Sequence, residues 1–182
     1  MVQVMSVADG LRVVYTEEEI RGRVKELGLR ITRDHSSSMK GGRAELACVG
    51  ILPNCIVFMA DLIRAIDLPL TCTFLRMGTV DGRRVDIAFG SPTDFSGRDV
   101  LLIQGVVDTG VTLSFITGHI QETWRPRSLK VVALINREAH RKVECPVDYA
   151  CFELEAEGFV AGYGLGYEEK YRGAPFIGFA EP

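Results

Sequence analysis

Residues Val100 to Thr112 read VLLIQGVVDTGVT. Asp99 to Ile103 (DVLLI) is a continuous apolar run behind one acid, the pattern of a central parallel strand buried on both faces. Asp108, Thr109, Gly110 and Thr112 follow in a short polar loop. Gly110 to Glu122 then takes helical spacing, with Leu113, Ile116 and Ile120 on one side. A loop that opens a helix aims backbone N–H groups at one point, and the helix dipole adds positive potential there. Thr109 and Thr112 add hydroxyl donors, and Gly110 lets the backbone come close to a ligand. The Asp-Thr-Gly triplet by itself also fits a tight turn with threonine as a cap. The buried strand before it and the second threonine after it favour a phosphate cradle, at the carboxyl end of a parallel strand, where open α/β sheets place their ligands.

Outward from this stretch, strands and helices alternate. Thr16 to Ile31 reads as a helix: Thr16 and Glu19 form a capping-box pattern, and Ile20, Val24, Leu27 and Ile31 share a face. Asp34 to Arg43 is a polar, Gly-rich loop. Glu45 to Leu52 is a buried strand ended by Pro53-Asn54, and Cys55 to Ile66 a helix with Asp61 and Arg64 on its polar side. Leu70 to Met77 and Lys130 to Ile135 are further strands, and Gly78 to Ser96 reads as a strand pair or a flap. Short strands follow around Tyr149 to Leu154, Phe159 to Gly162 and Phe176 to Phe179. This order predicts an α/β fold with a mainly parallel central sheet flanked by helices, in a single domain over residues 1–182. Trp124 is read as a packing residue, and Tyr163 and Tyr167 as core or interface residues.

The composition is that of a globular chain: 182 residues, 47% hydrophobic and 25% charged, net charge −3. No basic stripe suggests nucleic acid, and pairs such as Arg83-Arg84 and Arg141-Lys142 read as solvated surface. The apolar runs are too short for a membrane span, and Met1 to Leu11 lacks the pattern of a signal peptide, so a cytoplasmic protein is expected. Cys48, Cys55, Cys72, Cys145 and Cys151 read as buried free thiols. His35, His119 and His140 show no metal-ligand spacing. Asp81, Asp86, Asp94 and Asp99 read as solvated loop carboxylates.

VLLIQGVVDTGVTLSF is similar to the phosphoribosyl pyrophosphate signature of type I phosphoribosyltransferases. Val49 to Leu52, Asp61 to Pro69 (DLIRAIDLP), Phe159 to Tyr167 (FVAGYGLGY) and Tyr171 to Pro182 (YRGAPFIGFAEP) resemble, in order, segments of the hypoxanthine-guanine branch. The resemblance implies a small hood built from the N- and C-terminal segments. It implies that Asp108 is the general base for the purine, and that Asp108, Thr109, Gly110, Val111 and Thr112 form the 5′-phosphate loop. Phe159 would stack on the purine, the backbone of Val160 would meet its edge, and Arg137 would contact its exocyclic oxygen. Pro53, Asn54 and Arg172 would face pyrophosphate, and Gln104 and Gly105 the ribose. Mg2+ is the implied cofactor, and a purine base and phosphoribosyl pyrophosphate are the implied partners. A homodimer or homotetramer is the implied assembly.

The chain also departs from that family. Its acidic pair is Gln104-Gly105, its second metal-linked aspartate is Gly166, its pyrophosphate-loop lysine is Pro53, and its flap Ser-Tyr is Thr79-Val80. Val111 replaces a frequent lysine, while Glu168 and Glu169 offer substitute charge. Magnesium takes oxygen ligands, commonly carboxylates, and the leaving pyrophosphate needs cations. Two main expectations follow. One is a purine phosphoribosyltransferase, whose metal is held by substrate oxygens and water. The other is a weak or inactive relative that senses a purine nucleotide or phosphorylated ribose. A transferase for a different base is a third.

Overall fold

The computed structural model describes residues 10–37, 45–80, 83–90 and 93–180, with side chains at all of these except 79, 80 and 83–86. The elements in chain order are β1 (Leu11–Tyr15), α1 (Glu17–His35), β2 (Leu46–Ile51), α2 (Ile56–Ala65), β3 (Leu70–Val80), β4 (Arg83–Phe89), β5 (Asp99–Val107), α3 (Val111–Trp124), β6 (Ser128–Asn136), β7 (Tyr149–Glu153), β8 (Phe159–Ala161) and β9 (Ile177–Ala180). A six-stranded sheet has the order β4-β3-β2-β5-β6-β7. Only β4 runs antiparallel to its neighbour; the other pairings are parallel.

Strand alternation explains how the sheet buries both faces. Cys48, Leu101, Ile103, Val132 and Leu134 point towards Ile20, Val24 and Leu27 of α1 and Phe58, Met59 and Leu62 of α2. Their neighbours Val49, Val100, Leu102, Val131 and Ala133 point the other way, onto Leu113, Ile116 and Ile120 of α3. The order reverses between β2 and β5, and their carboxyl ends form a topological switch point. The capping box at α1 forms as expected: Glu19 N–H donates to Thr16 Oγ1 at 3.3 Å, and Thr16 N–H donates to Glu19 Oε2 at 2.8 Å. β1, β9 and β8 make a separate antiparallel sheet, so the hood does join the two ends of the chain.

Several expectations need correction. The strand at β5 continues past Ile103 to Val107, because Gln104, Val106 and Val107 pair with Ala133, Ile135 and Asn136 of β6. α1 runs on to His35, with Arg33 and His35 in its last turn. Asp99 is no loop carboxylate: it is buried at the start of β5, where Arg127 donates to it at 2.9 and 2.5 Å and Ser128 Oγ at 2.7 Å. Asp94 is a loop residue and accepts from Ser96 N–H. Four of the five thiols are buried, but Cys72 is exposed on β3. Trp124 packs edge-on against Phe89 and Phe95, as a structural residue should. The side chains of Thr79, Val80, Arg83, Arg84, Asp81 and Asp86 lie outside the described residues.

Candidate active site

The phosphate loop sits where β5 gives way to α3. Gly110 is the N-cap, at φ 80°, and contributes no side chain to cap the first turn. That left-handed backbone costs glycine little and other residues about 1–2 kcal/mol. Helix geometry turns the first-turn amides outward, and the dipole makes the spot attractive to an anion. A small concavity of about 90 Å3 lies there, lined by Gln104, Asp108, Thr109, Gly110 and Thr112. It adjoins a cavity of about 340 Å3 that also takes in Asn54, Met77 and Leu52. A larger and more apolar cavity, about 750 Å3, lies away from the strand ends, between α1, α2 and the turn at Arg172 to Pro175. The polar lining and the helix start mark the two smaller cavities as the site.

Arg141 fastens this loop from behind. Its guanidinium donates to the carbonyls of Val107 at 3.0 Å and Asp108 at 2.6 Å, and to Asn136 Oδ1. Lys142 N–H donates to Thr109 O at 3.0 Å. The expectation that Arg141 is solvated surface is therefore corrected: it is a brace, half-buried, that fixes the turn.

Asn54 and Arg172 meet beyond the end of β2. Arg172 Nη1 donates to Asn54 Oδ1 at 2.6 Å and to Gly164 O at 2.8 Å, and Nη2 approaches Glu169 at 3.2 Å. Pro53 follows a cis peptide bond after Leu52 and supplies no cation. At the start of β8, Phe159 is 71% exposed, and its ring is tilted against Tyr167 at 5.5 Å. Tyr167 packs against the core cluster of Leu11, Ala161 and Ala174, and Tyr163 is buried and donates to Asp61 at 2.5 Å. Val160 lies on β8 beside Phe159. Arg137 is buried beneath this segment, with its terminal nitrogens donating to Gly158 O at 3.1 Å and Ala156 O at 2.7 Å. It braces the segment before β8, and its Nε is buried without a partner among the described residues.

The Asp108 side chain is about half-exposed at the mouth of the loop. Its Oδ1 is buried and stands 2.8 Å from His140 Nδ1, off the line of an aligned hydrogen bond. Sequence reading missed this histidine. The one available signal was its place four residues after the end of β6, the strand beside β5.

A protein-held magnesium ion does not fit. Gln104 is neutral, with its Oε1 buried and unpartnered among the described residues. A Cβ on Gly105 would lie 2.4 Å from the carbonyl oxygen of Asn54 and 2.7 Å from Leu165. A Cβ on Gly166 would strike the Arg172 guanidinium. Among the described residues, no group of three His, Cys, Asp or Glu side chains is gathered closely enough to hold a metal.

A sheet with its anion cradle at the switch point, its hood over the carboxyl ends and an arginine across from the cradle has the architecture of a type I phosphoribosyltransferase. Residues 22–168 match the family described as phosphoribosyl transferase domain. The chain is 35% identical to a hypoxanthine-guanine phosphoribosyltransferase of Bacillus subtilis over 94% of its own length and 93% of the relative's. It is 36% identical to a protein of the same name from Dictyostelium discoideum, over 91% and 93%. It also superimposes on a hypoxanthine phosphoribosyltransferase variant from Trypanosoma cruzi complexed with the product IMP. That match has TM-score 0.87 and 30% identity, and covers 96% of this chain and 86% of that one. The chain belongs to the hypoxanthine-guanine phosphoribosyltransferase family. No helix among the described residues is long and apolar enough to cross a membrane.

Proposed function

We propose that the chain transfers the phosphoribosyl group of phosphoribosyl pyrophosphate to a 6-oxopurine, forming a nucleotide and pyrophosphate in purine salvage. The observation that carries this reading is the meeting of the Gly110-initiated helix start and the Asp108 carboxylate at the switch point of the sheet. The 5′-phosphate binds the first turn of α3 and the hydroxyls of Thr109 and Thr112. Gln104 Oε1, a buried acceptor without a donor among the described residues, receives a ribose hydroxyl. The purine stacks on Phe159, with its edge on the Val160 backbone and the Nε–H of Arg137. The ring nitrogen bonds to the anomeric carbon as the carbon–oxygen bond to pyrophosphate breaks, and the ring N–H proton passes to Asp108. Arg172, steadied by Asn54, receives the charge of the leaving pyrophosphate. Any magnesium the reaction uses would be held by substrate oxygens and water rather than by side chains of this chain.

The relatives above are named as transferases, which supports this reading and gives none to a nucleotide sensor. The test is to incubate the protein with hypoxanthine, guanine or xanthine, phosphoribosyl pyrophosphate and magnesium, and follow nucleotide formation. Product that disappears in Asp108→Asn supports the transferase; no product with any of the three bases rejects it. Purine monophosphates should raise the melting temperature of the wild type but not of Thr112→Ala. We also propose assembly as a homodimer or homotetramer, supported by the exposed apolar side chains Leu29, Ile56 and Phe115. A monomer mass by light scattering would reject it.

A further inference from the structure

We propose that His140 carries the proton of the general base out to solvent, along the chain Asp108–His140–Glu157. The inference rests on the transferase reading, because it concerns the proton that Asp108 takes from the purine. Each transfer leaves that proton on the Asp108 carboxyl, and the carboxylate must be restored before the next turnover.

The geometry supplies a way out. His140 Nδ1 is 2.8 Å from Asp108 Oδ1, an oxygen that is buried and accepts no aligned hydrogen bond among the described residues. On the other side of the ring, Nε2 is 3.4 Å from Glu157 Oε1. The side chain of His140 is 20% exposed and that of Glu157 is 90% exposed. The buried Oδ1 of the otherwise half-exposed Asp108 carboxylate is thus connected through His140 to Glu157 at the surface.

The ring is also placed between opposing demands. Glu157, from the segment between β7 and β8, faces Nε2 as an acceptor and favours a proton there. Arg137 Nη2 stands 3.4 Å from the same nitrogen as a donor and favours the other tautomer, with the proton on Nδ1 facing Asp108. Both tautomers find a partner, which is what a shuttle needs. The charged groups around the imidazole are Asp108 from the β5–α3 loop, Glu157, and Arg137 on its own segment. Arg141, next in the chain, is turned to the carbonyls of Val107 and Asp108.

The step balances. The protonated Asp108 gives its O–H proton to Nδ1 of the neutral ring, and the carboxylate is restored. The imidazolium releases its Nε2 proton to Glu157 or water. Exchange with water returns the ring to its starting tautomer, so the net result is one proton from purine to solvent. His140 acts through Asp108, as a positioning and relaying residue.

The test compares wild type, His140→Gln and His140→Ala for nucleotide formation across pH 5 to 9, and for affinity towards a purine monophosphate. Expected is a fall in turnover on the order of 10- to 100-fold in both variants, with a changed pH profile and unchanged nucleotide affinity. Free imidazole should restore turnover of His140→Ala in proportion to its concentration. Variants that match the wild type at every pH would overturn the relay alone. So would equal losses of affinity and turnover with no rescue by imidazole, since His140 would then only hold the loop in shape. A wild type that forms no nucleotide would overturn the transferase reading and the relay with it.

Discussion

A Cβ on Gly166 would stand 2.5 Å from the guanidinium carbon of Arg172, so the arginine fills the volume that a side chain at residue 166 would need. At Gly105 the obstacle is the backbone of Asn54, 2.4 Å away. The two glycines are crowded by different groups, so they should answer differently to a carboxylate placed there. A guanidinium at the end of a flexible chain can swing aside, whereas a backbone carbonyl cannot without moving the loop. Gly166→Asp should keep the melting temperature close to that of the wild type while displacing Arg172 and weakening pyrophosphate binding. Gly105→Asp should lose about 1–3 kcal/mol of stability from overpacking. Urea unfolding of both proteins checks the contrast. Equal losses would mean that the two positions are crowded alike.

Phe159 is the opposite case, a large apolar side chain held in the open beside Tyr167. Removing it uncovers little core, so Phe159→Ala should unfold at nearly the wild-type temperature. Its stacking contact with a purine is worth about 1 kcal/mol, or roughly fivefold in affinity. Calorimetric titration with a purine monophosphate reads that loss directly. A normal affinity in Phe159→Ala would remove the residue from the binding site.

Much of this arrangement was legible in the chain itself. The apolar run Val100 to Ile103, Gly110 and the helical spacing of Leu113, Ile116 and Ile120 mark the turn from β5 into α3. The capping pair Thr16 and Glu19 located the start of α1. What stayed hidden depends on distance across the fold. Arg141 and His140 lie in a polar stretch that reads as surface. They reach Asp108 only because β5 and β6 are parallel neighbours that end together, with Val107 opposite Asn136. Asp99 looked like a loop acid because its partner Arg127 lies 28 residues on. Gly105 and Gly166 could be read as missing carboxylates, but not as sites already occupied by Asn54 and Arg172.

The cysteines offer a prediction that depends on pH. Burial pushes the thiols of Cys48, Cys55 and Cys151 up to about 12, and raises those of Cys72 and Cys145 less. The thiolate is the reactive form, so a raised value means less of it at pH 8. Only Cys72 is also exposed. A thiol reagent at pH 8 should therefore label one cysteine in the native protein, slowly, and all five after unfolding. The rate at Cys72 should still be climbing above pH 9.0, the ordinary value for a thiol. Two or more cysteines labelled in the folded protein would contradict the burial.

Arg141 should be the most sensitive residue outside the ligand contacts. One side chain joins the carbonyls of Val107 and Asp108 to the side chain of Asn136, and so ties the end of β5 to the end of β6. Arg141→Ala leaves Val107 O with the N–H of Arg137 but takes from the Asp108 carbonyl its Arg141 donor, at a cost of about 1–3 kcal/mol. It also frees the turn that presents the first amides of α3. Thermal stability and stabilisation by a purine monophosphate should therefore fall together, although Arg141 is not expected to touch the ligand. Arg141→Lys should recover only part of both losses. An ammonium is a single point donor and cannot span three acceptors as the planar fork does. Loss of stability with undiminished nucleotide binding in Arg141→Ala would show that the phosphate loop holds its shape without this brace.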